Sequence, residues 1–172
     1  RSFEVVQVQT KVKVQELLFS GVIVRNGAAC SRDGHLAIAE GDKISILDAN
    51  VVVGAQSELS ESKSIQLGDK VGIRPLSRNL VGFEIIKLEF NQMRKEYLAV
   101  TGLHQAQVFT LSDGGEIIDR LPIQVPESID LIIDASWVPS STSLLSITGR
   151  SACALYDLSR NACVPACTIQ SA

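Results

Sequence analysis

A five-residue phrase, Leu98-Ala99-Val100-Thr101-Gly102, recurs in this chain as Leu36-Ala37-Ile38-Ala39 with Gly41 one place late, and as Leu145-Ser146-Ile147-Thr148-Gly149. Ten residues after each leading leucine stands a second apolar run: Ile46-Leu47-Asp48, Val108-Phe109-Thr110 and Leu155-Tyr156-Asp157. The copies lie 62 and 47 residues apart, and the surplus of 15 falls in the polar segment between Asn50 and Asn79. Short apolar runs joined by Asp-Gly and Gly-Asp turns read as antiparallel hairpins, because glycine takes the positive φ that tight turns need. Repetition of such hairpins at about 40–50 residues predicts the blades of a WD-repeat or kelch-like β-propeller.

The expected class is therefore all-β, with about three four-stranded antiparallel blades. Residues 1–27 form a leading strand and connector, with alternation over Phe3 to Val14; the blades span 28–82, 83–125 and 126–172. A closed ring usually takes four to eight blades, so 172 residues do not close one alone. Residues 50–70 read as a loop inserted into the first blade. Ser57 to Ser64 has too little apolar surface to offset the entropy of ordering, and deleting it is expected to change stability little. Lys70 to Pro75 follows as the outer strand of that blade. Inner strands are expected over Phe83 to Phe90 and Ile129 to Trp137, and a last outer strand over Cys163 to Ile169. Phe90 and Trp137 stand one period apart, which predicts equivalent buried corners.

Sixteen basic residues against nineteen acidic ones give a net charge of −3, and the basic residues are scattered. That distribution argues against a nucleic-acid or anionic-membrane surface. No apolar run reaches the roughly 18–20 residues of a membrane-spanning helix. The expectation is a cytoplasmic protein whose four cysteines stay reduced, with protein partners and the possibility of self-association.

Candidate chemistry is sparse. His35 and His104 stand beside turn glycines, as in WD repeats where an imidazole organises a network with an aspartate; an exposed turn histidine is the simpler expectation. Cys163 and Cys167 have a zinc-compatible spacing but lack a second ligand pair, so no metal site is expected. Gly114-Gly115 has no helix behind it to hold a phosphate. Asp48 and Asp157 sit at equivalent strand ends and read as hydrogen-bond acceptors. A propeller enzyme would place several acids or histidines at its inner strands, where this chain offers Glu84, Asp130 and Asp134. The sequence therefore predicts no catalytic, cofactor-binding or metal-binding residue, and a WD-repeat subunit of some complex or a propeller enzyme stand as alternatives to a scaffold.

Longer phrases carry a resemblance. Leu36 to Lys43, Arg74 to Asn79 with Val81 to Ile85, Tyr97 to Leu103, Trp137-Val138-Pro139 and Tyr156 to Ser159 resemble, in this order, the β-propeller region of the calossin/BIG family. The match covers about Ala28 to Ser159, with Ser140-Ser141 where Gly-Ser is expected and a weaker fit over Arg1 to Val24. The resemblance implies a segment of a very large E3 ubiquitin ligase of the N-degron pathway. In that family a zinc-binding UBR box reads destabilising N-termini and a separate zinc module recruits the ubiquitin-conjugating enzyme. Neither module fits within these cysteines and histidines, so the resemblance implies a non-catalytic scaffold beside them.

Overall fold

The fold grows from a bond made twice at the junction between successive hairpins. The main-chain N–H of Ile85 donates to the carbonyl of Gly41 at 2.9 Å, and that of Ile132 to Leu103 at 2.7 Å. Each joins the chain entering a new sheet to a turn of the sheet before it. The donors are 47 residues apart and the acceptors 62, the two offsets of the sequence repeat.

The computed structural model describes residues 17–18, 23–51, 65–66, 74–160 and 163–170. A two-residue strand β1 (Leu17–Leu18) pairs in parallel with β5 (Ile65–Gln66). The first blade is ordered β2 (Ile23–Cys30), β3 (His35–Glu40), β4 (Lys43–Asp48) and β6 (Ser77–Leu80). The second runs β7 (Lys87–Phe90), β8 (Tyr97–Thr101), β9 (Ala106–Leu111) and β10 (Ile117–Ile123). The third runs β11 (Asp134–Trp137), β12 (Leu144–Thr148), β13 (Ala152–Asp157) and β14 (Cys167–Gln170). Within each blade the neighbouring strands are antiparallel. The innermost strands β2, β7 and β11 pack in that order.

Two cores lie between the blades, and the middle blade faces both. Leu98, Val100, Phe109 and Leu111 pack with Ala37, Ile44 and Ile46 of the first blade. Their chain neighbours Ala99 and Val108 pack with Trp137, Leu145 and Tyr156 of the third. Successive side chains of a strand point to opposite faces, so strands covered on both sides become almost continuously apolar. β12, covered on one side, alternates instead: Leu145 and Ile147 are buried while Leu144, Ser146 and Thr148 are half-exposed.

Several expected boundaries shift. β2 starts at Ile23 instead of Ala28, with a register irregularity between them where Asn26 takes a φ of 64°. The outer strand of the first blade is Ser77–Leu80; of the strand expected over Lys70 to Pro75, residues 70–73 lie outside the described residues, and Arg74 and Pro75 precede the strand. Pro75 has no N–H to donate, and pairing with β4 begins at Leu76, whose N–H meets Ile46 at 2.7 Å. The inner strands are shorter than their apolar runs, because Ile85 and Ile132 give their N–H groups to the preceding blade and Ile129 gives its own to a local turn at Pro126. The last outer strand begins at Cys167, after Cys163 accepts from the N–H of Gln124. The strand expected over Phe3 to Val14 and the serine-rich loop at Ser57 to Ser64 lie outside the described residues.

The recurring glycine of the repeat has a packing origin. A Cβ on Gly102 would lie 2.6 Å from the Phe83 ring and 2.8 Å from the Glu84 carbonyl, and one on Gly149 2.9 Å from Ile129. Gly41 differs: its φ is 62° and nothing crowds it, so it serves the two-residue turn between β3 and β4.

Candidate functional site

A connected polar constellation sits on the innermost strands of the second and third blades. Lys87 and Glu89 alternate with the buried Leu88 and Phe90 along β7, so both project from the face turned towards β11. Lys87 Nζ donates to Asp134 Oδ1 at 2.7 Å and to Ser136 Oγ at 2.9 Å, and lies 2.8 Å from Glu89 Oε2. Ser136 Oγ donates in turn to Asp134 Oδ2 at 2.9 Å. Glu89 receives the third blade through Trp137, whose main-chain N–H reaches Oε1 at 3.3 Å and whose indole Nε1 reaches the Glu89 carbonyl at 2.9 Å.

The electrostatics decide what this arrangement can do. Partial burial pulls the Lys87 ammonium down, but the hydrogen bonds to Asp134 and Glu89 and their charges outweigh it and hold the group above the ordinary lysine value. Burial pushes the Asp134 carboxyl up, and its bonds from Lys87 and Ser136 outweigh that, leaving it below the ordinary range. A serine beside a lysine can be a nucleophile beside its base only when the lysine readily gives up its proton. Here the lysine is a held cation and the serine proton is directed at a carboxylate that remains ionised. The geometry builds a clamp between blades.

Both histidines also bridge blades. His35 Nε2 donates to the Asp113 carbonyl at 3.2 Å, and His104 Nδ1 to the Asp130 carbonyl at 2.8 Å. Each bonds main chain and not an aspartate carboxylate, so they are neither the WD-type network nor unattached turn residues. His35 borders a polar cleft of about 310 Å3 lined also by Asp33, Asp48, Asn50, Lys95 and Asp113. Lys95 pairs there with Asp33 and lies 3.7 Å from Asp113.

The remaining candidates are dispersed. Asp48 accepts from the Asn50 N–H at 2.8 Å, and Asp157 from Ser143 Oγ at 3.0 Å and Ser159 Oγ at 2.6 Å, so both act as strand-end acceptors. The Ser159 bond, opposed by burial and joined by Ser143, holds the Asp157 carboxyl below its usual range. Glu84 is exposed, and Gly115 has a φ of 78° in the turn between β9 and β10. Cys30, Cys153, Cys163 and Cys167 are free thiols, and among the described residues no group of three or more His, Cys, Asp or Glu could hold a metal ion. Asp134 was visible in the sequence as an inner-strand acid. Lys87 and Glu89 were not, although the spacing of 47 that aligns Phe90 with Trp137 also aligns Lys87 with Asp134.

No protein-family model matches the chain. It is 35% identical over 144 residues to the auxin transport protein BIG of Oryza sativa subsp. japonica, covering 84% of this chain and 3% of that protein. It is 28% identical over 155 residues to a probable E3 ubiquitin-protein ligase of Dictyostelium discoideum, covering 87% of this chain and 2% of that protein. It is 28% identical over 153 residues to the protein purity of essence of Drosophila pseudoobscura pseudoobscura, covering 85% and 3%. The chain thus spans only 2–3% of the length of these curated relatives. Among solved structures it resembles a chain of the Chaetomium thermophilum Nup82 NTD–Nup159 TAIL–Nup145N APD heterotrimer, with a TM-score of 0.62 at 19% identity, over 86% of this chain and 30% of that one. The WD40 domain of Toxoplasma gondii coronin follows at a TM-score of 0.53 and 13% identity, over 84% and 34%. The structural likenesses agree with the three sheets in showing WD-like propeller blades in a ring that these strands leave open. Over most of its length, the chain is a homologue of the calossin/BIG proteins, matching one short stretch of each.

Proposed function

We propose that this chain is a non-catalytic propeller scaffold within a cytoplasmic E3 ubiquitin ligase of the N-degron pathway, where it holds protein partners or the ligase's own modules in place. The observation that carries the non-catalytic reading is the self-satisfied inner-strand clamp. Lys87 is held protonated between two carboxylates and Ser136 gives its proton to one of them, so the one serine–lysine pair on the inner strands has no base. The ligase reading is supported by the Dictyostelium relative, a probable E3 ubiquitin-protein ligase. UBR-box recognition and recruitment of the ubiquitin-conjugating enzyme belong, on this reading, to other parts of the polypeptide.

The test is ubiquitin transfer by the full-length protein to a reporter with a destabilising N-terminus. Ser136→Ala should leave the rate unchanged, and removal of the blades should weaken partner capture. A folded Ser136→Ala protein that lost transfer would overturn the non-catalytic reading. Failure of the wild-type protein to modify any such reporter would overturn the pathway.

A further inference from the structure

Exposure alternates without a break from Arg74 to Leu80: Arg74, Leu76, Arg78 and Leu80 are exposed, while Pro75, Ser77 and Asn79 are half-buried. The half-buried set is tied to the second blade. Ser77 Oγ donates to the Gly115 carbonyl at 2.8 Å, and Asn79 Oδ1 accepts from Arg120 at 3.0 Å. Arg74 to Arg78 line a shallow groove of about 470 Å3 beside that seam. Leu76 lies so close to Gly115 that a Cβ there would come within 2.6 Å of it, yet it keeps 42% of its surface. Arg94 and Arg160 pair with Glu96 and Asp157, whereas neither Arg74 nor Arg78 has an acidic partner among the described residues. In a chain with a net charge of −3, the groove is thus a place of unspent positive charge.

We propose that this groove takes an extended acidic peptide of a protein partner, laid along the outer edge of β6, with two carboxylates four residues apart and an aliphatic side chain midway between them. Among the described strands β6 pairs with β4 alone, so its outward edge is open to strand addition. A strand rises about 3.3 Å per residue, and a peptide in the same conformation keeps step with it. Carboxylates at the two ends then meet Arg74 and Arg78, and the side chain between them falls on Leu76. The pattern reads the same in both directions, so it serves a parallel or an antiparallel peptide. Each planar guanidinium takes a carboxylate through two parallel bonds, which fixes register as well as charge. A single phosphate group would leave Leu76 and the strand edge unused. The inference deepens the scaffold reading by naming the chemistry of a partner, and it makes no use of the ligase reading.

Fluorescence anisotropy on the full-length polypeptide tests the proposal, with a labelled peptide whose two glutamates stand four residues apart around a central leucine. Binding should saturate, and it should weaken about tenfold or more when the two glutamates are made adjacent at the same composition. A protein carrying Arg74→Glu and Arg78→Glu should lose the glutamate peptide to a similar degree. Because that protein could misfold at β6, it is also given the peptide with lysines in place of the glutamates, which it should bind and the wild type should not. Absence of binding, or equal binding of the spaced and adjacent glutamate peptides, would overturn the proposal. So would a charge-reversed protein that takes neither peptide, or displacement of the glutamate peptide by inorganic phosphate at constant ionic strength, which would assign the groove to phosphate. No ubiquitin transfer is read in this assay, so its failure leaves the scaffold reading standing, and failure of that reading leaves the binding measurable.

Discussion

The indole Nε1 of Trp137 donates to the main-chain carbonyl of Glu89 at 2.9 Å, tying the innermost strand of the third blade to that of the second. The same ring stacks on Tyr97 with 22° between the planes and keeps 6% of its surface. Trp137 therefore serves two purposes, filling the seam and satisfying a backbone acceptor. Trp137→Ala should cost about 3–5 kcal/mol in urea unfolding, whereas Trp137→Phe, which keeps the ring and drops the donor, should cost about 1–3 kcal/mol. Equal losses for both would assign the whole effect to the hydrogen bond.

Gly102 and Gly149 should resist substitution through crowding. Gly102→Ala should lose about 1–3 kcal/mol, the range of overpacking, because the added methyl meets the Phe83 ring and the Glu84 backbone. Gly114→Ala, whose Cβ meets only Ser112 Oγ at 3.6 Å, should be much milder in the same thermal melt. A Gly102→Ala protein melting with the wild type would refute the close approach.

The clamp predicts an acid limb. Asp134 has a folded carboxyl below its ordinary value of 3.8, so its contribution is present above that pH and lost as pH falls through the lower folded value. Its side chain is half exposed, which limits the contribution to about 1 kcal/mol at most once solvent screening is counted. Asp134→Asn should flatten stability against pH below about pH 4, as read by urea midpoints. An unchanged acid limb would show the pair to be idle.

Tyr156 predicts the alkaline side. Burial, aided by the nearby Cys153, pushes its phenol up from 10.0 to about 12, and the hydroxyl donates to the Gln124 carbonyl at 3.0 Å. A raised folded value means that its contribution is complete below pH 10 and lost as pH rises towards 12. In a Tyr97→Phe protein, where Tyr156 is the remaining tyrosine, tyrosinate absorbance should rise near pH 12 together with unfolding. Titration near pH 10 with the fold intact would contradict its burial.

His104→Ala should cost about 0.5–1.5 kcal/mol, the net value of one hydrogen bond, because the imidazole holds the Asp130 carbonyl across the blade junction. No change in the thermal midpoint would return His104 to the status of a free turn residue.

The blade grammar was legible because strand pairing repeats locally. Leu36 pairs with Leu47, Leu98 with Phe109 and Leu145 with Tyr156, and each hairpin can be read within twelve residues. The ring positions Phe90 and Trp137 were legible from the same period. The clamp was not, because Lys87 and Glu89 look like the polar half of any alternating strand and their partners belong to another blade. The inner strands were read too long for a related reason. Ile85 and Ile132 are apolar and buried, yet their backbones bond to the preceding blade's turn, a choice that apolar pattern does not record. The glycine of the repeated phrase showed a turn in sequence, while its φ-independent reason, the nearness of Phe83 and Ile129, appeared only with the blades assembled.

The central claim is that three blades pack face to face with the middle one covered on both sides, and hydrogen–deuterium exchange tests it most directly. Amides in β8 and β9 should be among the slowest in the protein, since both faces of their strands are buried, while those of β14, all of whose residues are exposed, should exchange early. Exchange from β8 and β9 as fast as from β14 would contradict the stacked arrangement and with it the propeller scaffold.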